Sequence, residues 1–292
     1  MRTCMGTFLF VNTGSGSYSR RRVEEILLGL KAAGNEPTLL NVRTPADISR
    51  CCRDICAVDD HPFIIVAAGD GTFNAVMNAL PVGRADLAVL PMGTSNVLAH
   101  ELGISSLAAG VARIAKGEFR PFAVGLLETA SERFRFALMA GIGLDGAVVR
   151  DVRPVEKKFL KQGGYALSTL RNFLDWDPGT MDVITPAGSF ACHSVVISKT
   201  PRYAGDFLLA PGADLFSPGF TVTCIRCRSR RHFLGVIMDL FTGKAAKNPH
   251  LVRIAAEELE IRGSKPIQVD GDFIGYAPAT VTTIRDFARI IV

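Results

Sequence analysis

Short apolar segments alternate with helical patterns along residues 1–121, and this alternation limits the fold more than any other feature of the sequence. The sequence predicts strands at 7–11, 37–42, 63–67 and 86–90, and helices at 19–33, 44–56, 73–80, 96–102 and 107–116. Strands that alternate with helices are typical of a parallel sheet covered by helices. We therefore predict an N-terminal doubly wound α/β domain over residues 1–121.

The pattern changes near residue 121, after which many short β segments are separated by turn residues. The sequence predicts strands at 135–140, 181–185, 193–198, 220–225 and 259–262, with inserted helices around 163–174 and 231–241. Many short strands separated by turns favour a sandwich or a barrel. We predict a C-terminal β-sandwich-like domain over residues 122–283, and it stays open whether a last strand at 284–292 returns to the first domain.

Hydropathy and charge restrict the classes of protein to which the chain can belong. The chain has 292 residues, 48% of them hydrophobic, and a mean hydropathy of +0.24, which would suit a membrane protein. No apolar stretch, however, approaches the roughly 20 residues that a transmembrane helix needs, and the apolar run 5–11 has no cleavage-like segment after it. We expect a cytoplasmic protein without a transmembrane segment. A net charge of +5, with no basic motif interleaved with aromatic residues, argues against a nucleic-acid partner.

The seven cysteines allow two interpretations. Reduced thiols are favoured, because disulfides are rare in cytoplasmic proteins and the Cys224-Ile225-Arg226-Cys227 motif has no second pair at zinc spacing. The alternative is a metal site. The side chains considered for it are the Cys51, Cys52 and Cys56 cluster, and Cys192, His193 and His232, which could complete a site with the motif.

The segment Gly69-Asp70-Gly71-Thr72 lies between a predicted buried strand and a predicted helix. Free N–H groups at a helix start attract phosphate, and small residues let a ligand approach the backbone. An acid in an anion site needs compensation, so Asp70 indicates either a bridging Mg²⁺ or a group that accepts a proton from an attacking hydroxyl. The alternative is that Asp-Gly only forms a strand-to-helix turn.

A second loop weakens the turn interpretation. Pro91-Met92-Gly93-Thr94-Ser95-Asn96 also follows a predicted buried strand and opens a helix. Its polar groups therefore project from the same sheet edge, which is where open α/β folds bind ligands. The segment 12–17 follows the first strand and adds a third polar loop. This third loop is not a dinucleotide fingerprint, because Ser19 stands where the last glycine is required.

In order and spacing these motifs resemble those of a known family. Gly69-Asp70-Gly71-Thr72-Phe73-Asn74 and the 91–96 segment resemble the paired nucleotide-binding motifs of the diacylglycerol kinase catalytic superfamily. That superfamily includes soluble bacterial lipid kinases and the sphingosine and ceramide kinases. The resemblance spans nearly the whole chain. It extends to Asn12 to Gly16, Gly141-Ile142-Gly143-Leu144-Asp145, Arg202-Tyr203-Ala204-Gly205 and Asp270-Gly271-Asp272.

The resemblance implies phosphoryl transfer from ATP to a lipid hydroxyl, in a cleft between an α/β nucleotide domain and a β-sandwich domain. It implies Asp272 as the general base, with Asp70 supporting it or organising the metal of Mg²⁺-ATP. The implied partner is a lipid substrate at a membrane surface, and a homodimer stays open. The implied ATP contacts are Asn12, Gly14, Ser15, Gly16, Thr44, Gly69, Asp70, Gly71, Thr72, Asn74, Gly93, Thr94 and Asn96.

Four positions depart from the family pattern. Ala68 replaces the usual first glycine of the phosphate loop, Thr13 replaces a proline, and Asp272 replaces a glutamate that would reach one methylene further. The fourth departure is the segment 215–219, where many bacterial members carry an acidic Asp-Asp-Gly that helps to hold Mg²⁺. Pro218 has no ligating side chain and Asp214 is out of register, so we do not transfer this metal site.

Two basic segments also have two interpretations. The first contains Arg150, Arg153, Lys157, Lys158 and Lys161, and the second contains Arg226, Arg228, Arg230 and Arg231. As a functional feature they would meet anionic lipid headgroups, while an amphipathic helix at 233–241 shelters an acyl chain. The favoured and plainer interpretation is a solvated rim beside a helix that packs on the core.

Three functions therefore compete. We prefer an ATP- and Mg²⁺-dependent lipid kinase that acts peripherally at a membrane. A kinase for a soluble substrate is the second candidate, because NAD kinases and phosphofructokinases share a Gly-Gly-Asp-Gly-type loop, although their second motifs differ from Gly93-Thr94-Ser95-Asn96. A catalytically weak lipid- or nucleotide-binding protein on the same fold is the third, and the departures at Asp272 and Pro218 keep it open.

Overall fold

The structure is a computed structural model that describes residues 6–151, 177–203, 207–227 and 229–292. The helix predicted around 163–174 lies outside these residues. The chain divides into two compact units. The first contains Met1–Ala123 and Arg285–Val292, and the second contains Val124–Ile284.

The first unit is built on a parallel sheet. Its first four strands along the chain are β1 (Thr7–Asn12), β2 (Thr38–Val42), β3 (Phe63–Ala68) and β4 (Asp86–Pro91). They lie in the order β2-β1-β3-β4, and every neighbouring pair is parallel. All six residues of β3 are buried, as expected for a strand covered on both faces.

Helices of the first unit connect these strands. They are α1 (Arg20–Ala32), α2 (Pro45–Val58), α3 (Asp70–Ala79), α4 (Val97–Glu101) and α5 (Leu107–Lys116). Ile26 of α1, Ile114 of α5 and Leu9 of β1 belong to one buried cluster, while α2 packs on α3. The sequence predicts the start of α3 at residue 73, and this is wrong: the helix begins at Asp70, because Gly69 takes the extended N-cap conformation.

The second unit contains many short strands and two described α-helices. In chain order its elements are β5 (Phe119–Glu128, which begins in the first unit), β6 (Arg133–Phe136), β7 (Met139–Ile142), α6 (Leu144–Asp151), β8 (Met181–Thr185), β9 (Gly188–Cys192), β10 (Ser194–Ser198), β11 (Arg202–Tyr203), β12 (Phe207–Leu208), β13 (Phe220–Ile225), α7 (Arg230–Phe241), a 3₁₀ helix (Ala245–Lys247), β14 (Leu251–Ala256), β15 (Glu258–Arg262), β16 (Pro266–Val269), β17 (Asp272–Tyr276) and β18 (Ala279–Ile291, which ends in the first unit).

Two antiparallel layers form a sandwich in this unit. One layer has the order β14-β13-β10-β7-β16-β17, and the other runs β18-β15-β8-β9. The buried core between them takes side chains from both layers, including Ile197, Val222 and Ile267 from the first and Val183 and Ile261 from the second. The chain is thus a mixed α/β protein with an N-terminal α/β domain and a C-terminal β-sandwich domain.

The sequence predicts a continuous strand at 135–140, and this prediction is also wrong. The segment is interrupted between β6 and β7. At the interruption the backbone N–H groups of Ala137 and Leu138 donate to the carboxylate of Asp270, at 2.8 and 3.0 Å. A carboxylate more than 130 residues away in the chain leaves no local sequence signal, so the pattern of residues 135–140 could not reveal the break.

The last strand, β18, belongs to both units. Val281 pairs with Leu259 of β15 in antiparallel register, whereas Ile290 pairs with Leu87 of β4 in parallel register. Beside this second pairing, the guanidinium of Arg289 donates to both oxygens of Asp86, at 2.7 and 2.5 Å. Asp86 is buried, and its hydrogen bonds raise the pKa of Arg289. The ion pair fastens the C-terminal strand to the parallel sheet.

Within the described residues, no helix is both long enough and apolar enough to span a membrane.

Candidate functional site

Polar loops meet at the carboxyl ends of β1, β3 and β4. In the strand order β2-β1-β3-β4 the chain leaves β1 toward one side of the sheet and β3 toward the other. Open α/β sheets bind ligands at such a switch point, outside the carboxyl ends of the strands. The loops that the sequence singles out at 12–17 and 69–72 follow β1 and β3, and the loop 92–96 follows β4.

Gly69 and Gly93 bring two of these loops into backbone contact. A Cβ atom placed on Gly93 would lie 2.4 Å from the Cα of Gly69, and one placed on Gly69 would lie 3.2 Å from the Cα of Gly93. The shorter distance is one that real Cβ atoms do not show, so a side chain at residue 93 would force the loops apart. Glycine at residue 93 is therefore required for this contact, and at residue 69 a side chain would be tight against the facing backbone.

Asp70 ties the same two loops together through hydrogen bonds. Its Oδ2 accepts the N–H of Val97 and its Oδ1 accepts the N–H of Leu98, both at 3.0 Å. These N–H groups open α4 and have no partner within the helix. The negative charge of Asp70 is thus compensated by a helix start, an arrangement that the sequence did not reveal.

Asn96 shapes the second loop from within. It adopts a left-handed backbone conformation with φ 48°, which asparagine tolerates better than most residues. Its Oδ1 accepts the N–H of Gly93 at 2.7 Å, and its Nδ2 donates to the carbonyl of Gly93 at 3.0 Å. Thr94 and Ser95 are left exposed at the tip of this loop.

Asn12 joins the first loop to the helix that follows β3. Its Nδ2 donates to the Oγ1 of Thr72 at 3.0 Å, and its Oδ1 accepts the N–H of Gly14 at 2.9 Å. In the same loop the Oγ of Ser15 accepts the N–H of Ser17 at 3.3 Å. The structure therefore links three of the polar loops that the sequence marked separately.

The start of α3 is open to a ligand. A Cβ atom on Gly71 would meet no described heavy atom within 4 Å, and the same holds for Gly16. The backbone N–H of Gly71 has no hydrogen-bond partner among the described residues. A helix start with a free N–H and a positive dipole end attracts anions. Asn74 lies one turn into α3, where its Oδ1 accepts a hydrogen bond from Asn78.

A pocket of about 440 Å³ lies beside these loops, near the carboxyl ends of β1 and β2. Its lining residues are Thr13, Tyr18, Asn41, Arg43 and Asp47. The hydroxyl of Thr44 does not point freely into it, because Thr44 forms a capping box with Asp47 at the start of α2. These hydrogen bonds lower the pKa of Asp47.

Sequence analysis missed Tyr18 and Arg43 as pocket residues. Arg43 directly follows β2, and its Nε donates to the Oγ1 of Thr13 at 3.2 Å. Its position at a strand end was the available signal. No comparable signal marked Tyr18, which reaches the pocket from just before α1.

In the second unit, Asp270 and Gly271 form the turn of a hairpin between β16 and β17. Both have positive φ, 47° and 89°, as a two-residue type I′ turn requires. The carboxylate of Asp270 accepts three backbone N–H groups, the third from Met139 at 2.9 Å. Asp272 pairs with Val269 at the start of β17, and its side chain is exposed. The two acids of the motif thus differ in role: Asp270 holds the fold, and Asp272 faces solvent.

A hydrogen-bonded chain leads from Asp145 to this hairpin. The hydroxyl of Tyr203 donates to Asp145 Oδ1 at 2.5 Å, and the Nε2 of Gln268 donates to Asp145 Oδ2 at 2.6 Å. The Oε1 of Gln268 in turn accepts the N–H of Gly271 at 2.8 Å. Burial raises the pKa values of Asp145 and Tyr203. A Cβ on Gly141 would lie 1.7 Å from Asp145 Oδ2, so this glycine makes room for the carboxylate.

Metal-binding groups are not clustered in the described part of the chain, where no three His, Cys, Asp or Glu side chains could hold an ion together. Cys52 is a free thiol whose pKa is raised to about 12 by burial. His193 contacts the hydroxyl of Ser194 at 2.7 Å and the carbonyl of Asp177 at 2.8 Å. His232 stacks on His250 at 4.4 Å between ring centroids. Among the described residues, the cysteines and histidines considered for a metal site therefore form no group that could hold an ion.

Comparison with known proteins identifies two family domains in the chain. Residues 6–127 match the diacylglycerol kinase catalytic domain, and residues 139–292 match the YegS C-terminal NAD kinase beta sandwich-like domain. The diacylglycerol kinase of Bacillus subtilis (strain 168) is 23% identical over 280 residues, which cover 93% of this chain and 91% of that protein. The diacylglycerol kinase of Staphylococcus carnosus (strain TM300) is 24% identical over 279 residues, which cover 93% and 89%.

Solved structures share the fold. A crystal structure of a diacylglycerol kinase from Bacillus anthracis str. Sterne has a TM-score of 0.77 at 20% identity, with 98% of this chain and 96% of that chain covered. The two matched domains include both glycine loops of the first unit and the Asp270–Asp272 hairpin of the second. The chain therefore belongs to the diacylglycerol kinase catalytic-domain family with a YegS-type C-terminal domain.

Proposed function

We propose that this protein is a lipid kinase that transfers the γ-phosphoryl group of ATP to the hydroxyl group of a lipid. The observation that supports the proposal best is the joined pair of loops at Gly69 and Gly93, beside the open N–H of Gly71 at the start of α3. Family membership adds the reaction type, because the curated relatives are named diacylglycerol kinases.

The loops of the first unit would position the nucleotide. Phosphoryl transfer needs aligned reactants and neutralised charge more than covalent help from the protein. The backbone N–H of Gly71 and the exposed hydroxyls of Thr94 and Ser95 are donors that could reach phosphate oxygens. The 440 Å³ pocket beside Tyr18 and Arg43 has room for further parts of the nucleotide.

In the proposed reaction the lipid hydroxyl oxygen bonds to the γ-phosphorus while the bond from that phosphorus to the β–γ bridging oxygen breaks. ADP leaves with that bond's electron pair. The hydroxyl proton passes to a carboxylate, for which Asp272 is the candidate. Its support is the resemblance of Asp270-Gly271-Asp272 to the family motif, together with the exposure of the Asp272 side chain and the hairpin that Asp270 holds through three hydrogen bonds.

Magnesium fits this proposal only as a partner of the nucleotide. Mg²⁺ is commonly held by one or two carboxylates plus substrate phosphates, and the described residues contain no larger acidic cluster. Asp70 is the carboxylate at the loops, and its two oxygens already accept the N–H groups of Val97 and Leu98. When bound, the ion would neutralise phosphate charge.

We also propose that α7 meets the membrane surface. Leu234 and Met238 lie one turn apart on this helix and are 49% and 54% exposed, whereas Phe233 and Val236 are buried in a small core cluster. The exposed Arg230 and Arg231 stand at the start of the same helix. An exposed apolar pair beside cations suits the interface of an anionic membrane. The first basic segment lies outside the described residues, apart from Arg150, which pairs with Asp151.

One assay separates the three candidate functions. The purified chain is incubated with γ-labelled ATP, Mg²⁺ and a total lipid extract, and the label is measured in the organic and aqueous phases. The proposal expects label in the organic phase. Label in a water-soluble product other than phosphate would favour a kinase for a soluble substrate. ATP binding without any transfer would favour a binding protein.

A vesicle sedimentation experiment tests the membrane surface separately. Leu234→Glu combined with Met238→Glu should lower binding to vesicles containing phosphatidylserine by about tenfold, since charged groups would replace two exposed apolar side chains that the membrane would otherwise bury. Leu28→Glu is the matched control, because Leu28 lies on α1 and is 69% exposed. Equal binding by the wild type, the control and the double variant would rule out α7 as the docking surface.

A further inference from the structure

Lys199 is a fully buried lysine directly after β10. Its Nζ donates to the carbonyl of Ser217 at 2.5 Å and to the carbonyl of Gly219 at 3.3 Å. Both carbonyls belong to the loop 214–219 that leads into β13. The backbone N–H of Lys199 is also anchored, at 2.8 Å from the carbonyl of Leu138. The side chain is therefore held between a strand end and a loop.

The oxygen atoms that accept hydrogen bonds from this lysine are of the kind that also bind metal cations. In the described residues no carboxylate lies within salt-bridge distance of its Nζ, so main-chain carbonyl oxygens are its direct partners. Hard cations such as Ca²⁺ are bound by carbonyl and carboxylate oxygens. Burial lowers the pKa of Lys199 to about 8, and the charge of Asp214 partly opposes this change. At neutral pH the group is still largely protonated.

The same loop is poorly suited to a divalent metal ion. Pro218 offers no side-chain ligand, and the Oδ1 of Asp214 accepts the N–H of Phe216 at 3.1 Å. The hydroxyl of Ser217 donates to the carbonyl of Pro218 at 3.4 Å. Residues 215–219 thus stand where many bacterial family members carry an acidic Asp-Asp-Gly, and the buried ammonium of Lys199 contacts the carbonyls of Ser217 and Gly219.

We propose that the Lys199 ammonium is the resident cation of the 214–219 loop and replaces a bound divalent metal there. The loop lines a cavity of about 910 Å³ in the second unit, through Asp214, Ser217, Pro218 and Gly219. The lysine thus fixes one wall of that cavity from inside the fold. This inference concerns the second unit alone and does not depend on the proposed kinase reaction.

The first test is a metal titration of the wild-type chain without nucleotide. Its thermal midpoint is followed by scanning fluorimetry in EDTA and in millimolar Mg²⁺ or Ca²⁺. We expect a shift of less than about 1 °C, because a ligand stabilises a fold only by binding to it. A saturable rise that Asp214→Asn removes would place a metal ion in this loop and overturn the proposal.

The second test removes the lysine ammonium and asks whether a divalent metal ion can take its place. Lys199→Met removes the ammonium and should lower the thermal midpoint in every buffer. When Pro218→Asp is added to it, Mg²⁺ or Ca²⁺ should restore about 4 °C or more. Pro218→Asp alone keeps the lysine and should show no metal response. A double variant whose thermal midpoint does not change with either ion would contradict the proposal.

If Lys199→Met does not fold, the proposal can still be tested with the wild type and Pro218→Asp, because both keep the lysine. A saturable metal response of Pro218→Asp that the wild type lacks would show that the loop accepts a divalent ion beside Lys199, and this too would overturn the proposal.

Discussion

The carboxylate of Asp70 accepts the backbone N–H of Val97 at 3.0 Å, and so joins the loop after β3 to the helix after β4. A second bond, from the N–H of Leu98, makes the link bidentate. The loops are also in backbone contact at Gly69 and Gly93. One aspartate thus assembles the surface on which we propose that the nucleotide phosphates bind.

Asp70→Asn should lower both stability and turnover. An amide keeps one acceptor oxygen, so one of the two N–H groups of α4 loses its partner, and the free energy of unfolding should fall by about 1–3 kcal/mol. Turnover should also fall about 100-fold or more, because the loops that Asp70 joins are the ones that we propose position the phosphates. Urea unfolding and the label-transfer assay measure the two effects. Asp60→Asn is the control, since the Asp60 side chain is 97% exposed and its ion pair with Arg84 lies at the surface, where such pairs contribute little. Equal losses in both variants would contradict the account.

Gly71→Ala separates ligand binding from packing. Its methyl group would meet no described atom within 4 Å, and Gly71 lies in α3. Replacing a helical glycine by alanine should raise the free energy of unfolding by about 0.5–1 kcal/mol. The same methyl would crowd phosphate at the helix start, so we expect ATP to bind about tenfold more weakly, a cost of about 1.4 kcal/mol.

Gly235→Ala provides the matched control for that prediction. Gly235 is an exposed helical glycine of α7, and its added Cβ also meets no described atom. It should stabilise the chain by a similar amount without changing ATP affinity, as measured by calorimetry. If Gly71→Ala binds ATP as tightly as Gly235→Ala does, the start of α3 is not the phosphate site.

Substitutions of the two hairpin aspartates should have different effects. Asp270→Asn should lower stability, and Asp272→Asn should lower turnover. Asp270→Asn disturbs a carboxylate that accepts three backbone N–H groups, so the free energy of unfolding should fall by about 2 kcal/mol. Asp272→Asn changes an exposed side chain and should alter stability by less than about 0.5 kcal/mol. Its turnover, however, should fall about 100-fold or more. Wild-type turnover in Asp272→Asn would refute its assignment as the base.

The free energy of unfolding at alkaline pH should depend on the protonation of Lys199. Burial lowers its pKa to about 8, against 10.5 for a solvated lysine. Between these values the unfolded chain binds more protons than the folded chain, so this group makes the free energy of unfolding rise with pH. Across that window the wild type should gain at most about 3 kcal/mol relative to Lys199→Met. Parallel pH profiles in urea unfolding would show that the pKa of Lys199 is not lowered.

The sequence was most informative where structure depends on neighbouring residues. Buried strands such as β3 read as continuous apolar runs, and the glycine loops at their ends could be placed on one sheet edge. Contacts between distant residues gave no such signal. The bond from Leu138 to Asp270 spans 132 residues, and it breaks a strand that local pattern predicts as continuous.

In the candidate site, too, local motifs could be predicted from the sequence, whereas contacts between distant residues could not. Glycine and polar residues at 69–72 and 91–96 were visible as motifs, whereas the attachment of Asp70 to Leu98 depends on how the loops pack. The early start of α3 also depends on the Gly69 cap, which a periodicity of apolar residues does not register. No sequence motif includes Lys199, and only its burial in the fold marks it as an internal cation.

The most direct test of the central claim is multiple-turnover phosphorylation of lipid. The wild-type chain is mixed with γ-labelled ATP, Mg²⁺ and diacylglycerol-containing vesicles, and the organic phase is counted over time beside Asp272→Asn. We predict that labelled lipid comes to exceed the amount of wild-type protein, and that the variant is slower by about 100-fold or more. Label that stays entirely in the aqueous phase with the wild-type chain, over a range of lipid hydroxyl substrates, would contradict the account.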